Sequence, residues 1–334
     1  MATMREVAAR AEVSIATVSF VVNGTKKVTD ATRKRVEDAM RDLGFSRNPV
    51  GAALARGRTR ILAMLYPAVE RRLSPTAVTF FTSASRRARE RGYDLVMWPI
   101  GDDTAQVSVL AGTGLIDGAL LMEVRLDDPR VAALHDRRVP FALIGRTSEP
   151  DDLAYVDVDF PASVREAHAR LRDLGHEDIA FLTGDGRAFS HGAVARARET
   201  YEAAATASGS PVTMLSCAED PGAGRELGSR FRQEHPTTTA LIAMNEPAVP
   251  GLLIALAHEG VRVPDDLSVI SMGSTAFMAG MTDPRLTFMR TPGPELGEWG
   301  VDALIDRIET PDAPLPQRLL PCEYVAGDSV ASRG

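Results

Sequence analysis

Val7-Ala8-Ala9-Arg10-Ala11-Glu12-Val13-Ser14-Ile15-Ala16-Thr17-Val18-Ser19-Phe20-Val21-Val22-Asn23-Gly24 reads as a short helix, a tight turn and a second short helix. The second helix opens on Ser14, whose hydroxyl can accept a bond from the free backbone N–H groups of the first turn. Val18, Val21 and Val22 recur at i, i+3, i+4 and must face a core. Ile15, Ala16, Thr17, Ser19 and Phe20 make up the other face. A short helix with small polar residues at its start fits the DNA major groove, where base edges display a sequence-specific pattern. Residues 29–43 predict a third helix, with Val36, Ala39, Met40 and Leu43 as its apolar stripe and Gly44 at its end. Together they predict a three-helix module over 1–45.

The chain has 334 residues, which implies two or more domains, and its 44% hydrophobic content suffices for a sizeable core. No stretch approaches the ~18 apolar residues of a membrane span. No apolar run precedes a small-residue cleavage site near the N-terminus, so no export signal is expected and the predicted compartment is the cytoplasm. Cys217 and Cys322 are the only cysteines and are expected to be reduced there. Residues 1–60 carry 12 Lys and Arg against 6 Asp and Glu, whereas the rest carries 26 against 39. A basic head on an acidic body suits a protein that touches phosphates at one end only.

Residues 46–59 contain Pro49, suited to a helix first turn, and Gly57, suited to its end. One or two turns are unstable alone in water, so this segment is expected to form only against a partner chain or DNA. From residue 60 onward, short apolar runs alternate with helical stretches. The runs are 61–66, 93–98, 118–122, 140–144, 178–182, 240–244 and 267–271. This α/β alternation implies parallel sheets covered on both faces. Periodicity leaves open whether they form one large sheet or two lobes.

The pattern V-A-x-x-A-x-V-S-x-x-T-V-S-x-V-V-N-G resembles the helix-turn-helix signature of the Lac repressor family of bacterial transcription regulators. Segments 114–118, 139–146, 174–176, 244–246 and 260–270 also fall in family order, so the resemblance covers nearly the whole chain. It implies an N-terminal helix-turn-helix DNA-binding domain and a two-lobed core similar to periplasmic sugar-binding proteins. The implied divisions are a DNA-binding domain at 1–45, a hinge helix or linker at 46–59, and an effector-binding and dimerisation core at 60–334. Lobe one would comprise 60–159 plus 290–316, and lobe two 160–289 plus 317–334.

The resemblance also assigns roles. Ser14, Ile15 and Ala16 open the recognition helix, with the last two meeting base edges, and Thr17 and Ser19 bond bases or phosphates. Asn23 steadies the following turn or reaches the DNA backbone. Thr3, Thr25 and Lys26 are phosphate candidates. Asn48, Leu54 and Ala55 belong to the hinge, where paired helices of a dimer enter the minor groove and Leu54 wedges between base pairs, kinking the duplex. Two departures stand out. Phe20 replaces an arginine that reads guanine; Phe cannot make that bidentate bond but can contact a thymine methyl, so the operator should differ from the usual half-site. Glu12 replaces a common turn glycine, and a non-glycine at positive φ costs on the order of 1 kcal/mol.

Ligands in open α/β sheets bind at strand C-terminal ends. Candidate effector contacts there are Ser74, Thr76, Arg146, Asp185, Phe189, Arg196, Asn245, Glu246 and Ser274. The family's sugar-site pattern thins out at these positions. Ser271-Met272-Gly273-Ser274 stands where Gly-Phe-Asp-Asp is usual, and Arg196 and Arg198 lie beside the expected arginine register. A sugar, another metabolite, or no effector at all therefore remain open. No cofactor, metal motif or catalytic constellation is found; Gly184-Asp185-Gly186 lacks the third glycine of a dinucleotide loop. The expected partners are an operator in double-stranded DNA and a second copy of the chain, with no membrane. The leading expectation is a homodimeric repressor. An effector-independent regulator and, behind it, a solute-binding protein are the alternatives.

Overall fold

The computed structural model of the chain describes residues 2–23, 26–45, 58–67, 74–100, 104–186 and 190–333. Two compact units separate, Met1–Thr59 and Arg60–Gly334.

In the first unit, α1 (Met4–Ala11), α2 (Ile15–Asn23) and α3 (Asp30–Asp42) pack around Val7, Ala8, Ala11, Val18, Val21, Val36 and Ala39. Thr3 caps α1 through a reciprocal pair: its hydroxyl accepts from Glu6 N, and Glu6 Oε2 accepts from Thr3 N at 2.7 Å. The bonds that Glu6 Oε2 accepts from the Thr3 N–H and the Thr3 hydroxyl hold the Glu6 carboxyl below the usual range. Ser14 and Thr29 cap α2 and α3 by accepting from Thr17 N and Thr32 N. The tight turn after α1 places Glu12 at φ 53°, ψ 47°, the left-handed region that favours glycine. Glu12→Gly is therefore expected to stabilise the first unit by up to about 1 kcal/mol, seen as a higher midpoint for its transition in calorimetry of the full chain. An unchanged or lower midpoint would refute the strain at this turn.

The second unit holds two six-stranded sheets. The first combines β1 (Ile61–Tyr66), β2 (Asp94–Pro99), β3 (Gly118–Leu121), β4 (Phe141–Ile144), β5 (Tyr155–Val158) and β11 (Gln317–Leu320) in the order β11-β5-β4-β3-β1-β2, all parallel. The second combines β6 (Ile179–Gly184), β7 (Thr213–Cys217), β8 (Ala240–Ala243), β9 (Ser268–Ser274), β10 (Thr287–Arg290) and β12 (Glu323–Val325) in the order β12-β10-β9-β8-β6-β7. Only β12 runs antiparallel, against β10. Most of these strands are buried along their length, which is why they read as apolar runs without alternation.

Helices cover both sheets. α4 (Pro75–Glu90), α5 (Thr104–Gly112), α6 (Pro129–Asp136) and α12 (Gly293–Glu309) serve the first, and α7 (Phe160–Asp173), α8 (Gly192–Ala207), α9 (Pro221–Glu234) and α10 (Val249–His258) the second. A four-residue α11 (Ala276–Ala279) follows β9. Arg87 of α4 and Arg91, which follows its last residue, both pair with Asp302 of α12, at 3.0 and 2.7 Å, alongside the apolar seam between these helices. Among the described residues the chain passes between the lobes three times: from β5 into α7, from β10 into α12, and from β11 to β12. The last passage differs from the expected division, which gave 317–334 to the second lobe. Residues 317–320 pair with 155–158 of the first sheet, and the chain changes lobe only beyond Leu320. A short strand carries no mark of which sheet it joins. Asp159 N donates to Leu320 O at 2.7 Å and Cys322 N donates to Ser163 Oγ at 2.8 Å, so two of the crossings are tied together.

Candidate nucleic-acid interface and interlobe cleft

α2 owes its position to Val18 and Val21, which are buried against α1 and α3 and turn the opposite face outward. On that face Ser14, Ile15 and Ala16 are exposed, Ile15 at 47%, while Thr17, Ser19 and Phe20 are half-buried. The hydroxyls of Ser14 and Thr17 lie 2.9 Å apart in a hydrogen bond. The Nζ of Lys26 sits 5.1 Å from the centroid of the Phe20 ring. Arg10 and Asp42 join the ends of α1 and α3 at 2.8 Å. Thr3, offered above as a phosphate contact, is committed to capping α1. Asn23 ends α2. Thr25, Asn48, Leu54 and Ala55 lie outside the described residues, as does Phe189 of the effector set.

Within the second unit the segments that follow strand ends of the two sheets touch directly. Residues 124–126, after β3, bond to 190–192, which lead into α8. Leu126 N donates to Ser190 O and Gly192 N donates to Val124 O, both at 3.0 Å, and Arg125 and His191 form an antiparallel bridge. Thr76 Oγ1, at the start of α4, donates to Gly273 O of β9 at 3.1 Å.

The central side chains are Asp157, Arg146 and Arg196. Asp157 stands on β5 in the first lobe and is buried. Arg196 reaches it from α8 in the second lobe, donating from Nη2 to Oδ2 at 2.8 Å and from Nη1 to Arg146 O at 3.2 Å. Arg146 Nε lies 3.2 Å from the same Oδ2 but without hydrogen-bond alignment. Burial pushes the Asp157 carboxyl up to about 6, while Arg196 and Arg146 pull it down. Burial also lowers the Arg196 guanidinium, with Asp157 opposing. Asp157 was not among the sequence candidates. Its signal was a charged residue between Val156 and Val158 in a strand buried on both faces.

The other candidates divide by environment. Ser74 caps α4, accepting from Ala77 N at 3.0 Å. Asn245 is buried, and its amide donates to the carbonyls of Cys217 at 2.9 Å and Ala218 at 3.3 Å. That amide ties the end of β7 to the end of β8, so the residue holds the sheet edge together. Glu246 accepts from Ser274 Oγ, and burial pushes its carboxyl up. Asp185 is exposed just past β6. Cys217 and Cys322 are free thiols, raised by burial to about 11 and about 12, which leaves both unreactive at neutral pH. Among the described residues no cluster of His, Cys, Asp or Glu could hold a metal ion, and no helix is long and apolar enough to cross a membrane.

Comparison with known proteins places this geometry. Residues 3–48 match the model of bacterial regulatory proteins of the lacI family, and residues 168–330 match the periplasmic binding protein-like domain. The chain is 29% identical over 331 residues to the HTH-type transcriptional regulator CelR of Thermobifida fusca, covering 95% of each chain. It is 28% identical to the HTH-type transcriptional regulator DegA of Bacillus subtilis, covering 88% of each. Among solved structures, the transcriptional regulator CelR–cellobiose complex superposes with a TM-score of 0.73 at 26% identity, over 98% of this chain and 100% of that one. The lac repressor dimer bound to operator and the anti-inducer ONPF superposes with a TM-score of 0.86 at 22% identity, over 99% of each, and shows the same fold. With a helix-turn-helix head that matches the family's own model, a two-sheet binding-protein-like core and relatives that are regulators along nearly their full length, the chain belongs to the lacI family of bacterial regulatory proteins.

Proposed function

We infer that this chain is a sequence-specific DNA-binding transcriptional regulator, a repressor that acts by binding and not by catalysis. The observation that carries this reading is α2 itself: a capped helix whose apolar side is buried in its own small core and whose outward residues sit on a basic head. The head reads an operator, and the core dimerises and sets the half-site spacing of a pseudo-palindrome. Selection of bound duplexes from a random pool, followed by gel shift at moderate salt, tests it. Enrichment of a two-half-site sequence over bulk DNA is expected, and equal affinity for all sequences would refute it.

The dimer has a candidate seat in the second lobe. Phe277 on α11 and Met281 just beyond it are 70% and 66% exposed, an unusual setting for large apolar groups four residues apart. Phe277→Asp is expected to shift the purified protein toward monomer in analytical ultracentrifugation and to weaken operator binding about tenfold or more, because half-sites would then be engaged singly. A dimer unaffected by this change would place the interface elsewhere.

Control by a cleft ligand is the second part of the proposal, since a relative of this fold was solved with cellobiose. Such a ligand would bias the core between two lobe arrangements. The Arg196–Asp157 pair favours a second reading, in which the cleft closes on its own side chains and the regulator works without an effector. Gel shifts of the selected operator with sugars and then other metabolites separate the two: a change in affinity supports control, and none across the panel supports the self-closed cleft.

A further inference from the structure

We propose that Phe20 reads the C5 methyl group of a pyrimidine in the major groove, so that thymine and 5-methylcytosine are preferred there over unmethylated cytosine. This rests on α2 entering the major groove, the reading given above.

The reading helix, Ile-Ala-Thr-Val-Ser-Phe-Val-Val-Asn, contains no charged side chain. At its exposed start, Ile15 and Ala16 are apolar, and the Ser14 and Thr17 hydroxyls bond to one another. Ala16 and Phe20 are four residues apart, hence neighbours on one helix face, and the small Ala16 leaves the ring uncrowded from the preceding turn. The ring is held: Val18 and Val21 fix the helix from behind, and the Lys26 ammonium lies over the ring at 5.1 Å. Lys26 thereby both orients the ring and carries a positive charge beside it, where a phosphate would pass.

An ordered aromatic ring offers neither donor nor acceptor in its plane. Facing guanine, adenine or cytosine edges, it would strip water from polar atoms and give them no partner. The C5 methyl is the one apolar group that the major groove displays, and it is the same group at the same position in thymine and in 5-methylcytosine. The chemistry of the ring therefore selects the methyl and is indifferent to which pyrimidine bears it. Phe20 is a specificity-determining residue and Lys26 its positioning residue.

The test uses the full-length protein and the duplex selected from the random pool. Each half-site thymine is replaced in turn by deoxyuridine, which removes only the methyl, and each half-site cytosine by 5-methylcytosine. One thymine position per half-site is expected to lose about fourfold in affinity with deoxyuridine, the worth of one buried methyl. With cytosine placed at that position, methylation at C5 is expected to regain a similar factor. Phe20→Ala should lose the deoxyuridine effect, and Lys26→Ala should shrink it. Phe20→Leu, which keeps an apolar group and α2 intact, should retain part of it. Failure to select any sequence would overturn the regulator reading itself. A selected operator on which every deoxyuridine binds within 1.5-fold of thymine, or on which Phe20→Ala shows the same deoxyuridine loss as the unaltered protein, would overturn the methyl-reading proposal and leave the regulator reading standing; these thresholds rest on about fourfold per buried methyl.

Discussion

Arg196→Met is expected to destabilise the core by about 3 kcal/mol at pH 8 and by much less at pH 5. Asp157 is buried and, among the described residues, has Arg196 as its one aligned side-chain donor; Arg146 lies close but points poorly. Without Arg196, an anion already disfavoured by burial keeps the Val158 backbone bond and the poorly aligned Arg146 but loses its aligned cation, the situation in which breaking a buried pair is most damaging. The pH dependence follows from the direction of the shift. A carboxyl whose folded pKa is raised, here to about 6, contributes stability that is complete below its unfolded value near 4 and is lost as pH rises through about 6. Removing Arg196 raises that carboxyl further, so the variant loses more stability over the same rise and the gap opens above pH 6. Urea titrations at the two pH values measure it. Asp157→Asn combined with Arg196→Met should recover most of the loss at pH 8, since no buried anion then remains. Equal stability of Arg196→Met and the unaltered protein at pH 8 would show that the pair does not bind the lobes.

Gly251→Ala is expected to lower stability by about 3 kcal/mol through overpacking at a backbone contact. A Cβ on Gly251 of α10 would overlap the carbonyl oxygen of Pro221 at the start of α9, and one on Gly224 of α9 would overlap the carbonyl oxygen of Ala248. The two helices meet main chain to main chain, and neither obstacle is a flexible side chain. Accommodation requires the helices to separate, which opens gaps around Leu227, Leu252 and Leu256 in the second-lobe core. In urea the midpoint should fall with an unchanged slope, the sign of altered stability and not of an altered unfolded state. A midpoint equal to that of the unaltered protein would mean that the pair is loosely packed.

What the sequence disclosed follows the range of the interactions. The head was legible because its signals are local: Ser14 as a cap, valines at helical spacing, and a turn whose left-handed position at Glu12 could be anticipated from the missing glycine. Seven strands were legible as apolar runs, whereas β5, β7, β10, β11 and β12, short and interrupted by polar residues, were not, and periodicity alone left one sheet or two undecided. The cleft was less so. Arg196 was a candidate but Asp157, 39 residues earlier, was not, because an interlobe ion pair leaves no spacing rule in the chain. Asn245 was read as a ligand contact from its place after a strand. Its amide N–H groups serve the carbonyls of Cys217 and Ala218 at the end of β7, two strands away across β6, a demand created only when β7 lies beside β6. The glycines of α9 and α10 gave no local sign either, since their reason is a helix crossing.

The triple passage of the chain between the lobes has a consequence for how the core comes apart. A protease nick within any single connection leaves two covalent tethers in place, and neither lobe consists of one continuous fragment that a lone cut could release. Nicked protein should therefore elute as an intact body under native conditions and fall into pieces only in denaturant. Neither half could be inherited, swapped or expressed alone as a simple stretch of gene, which binds the evolution of the lobe that follows the head to that of the lobe beyond it.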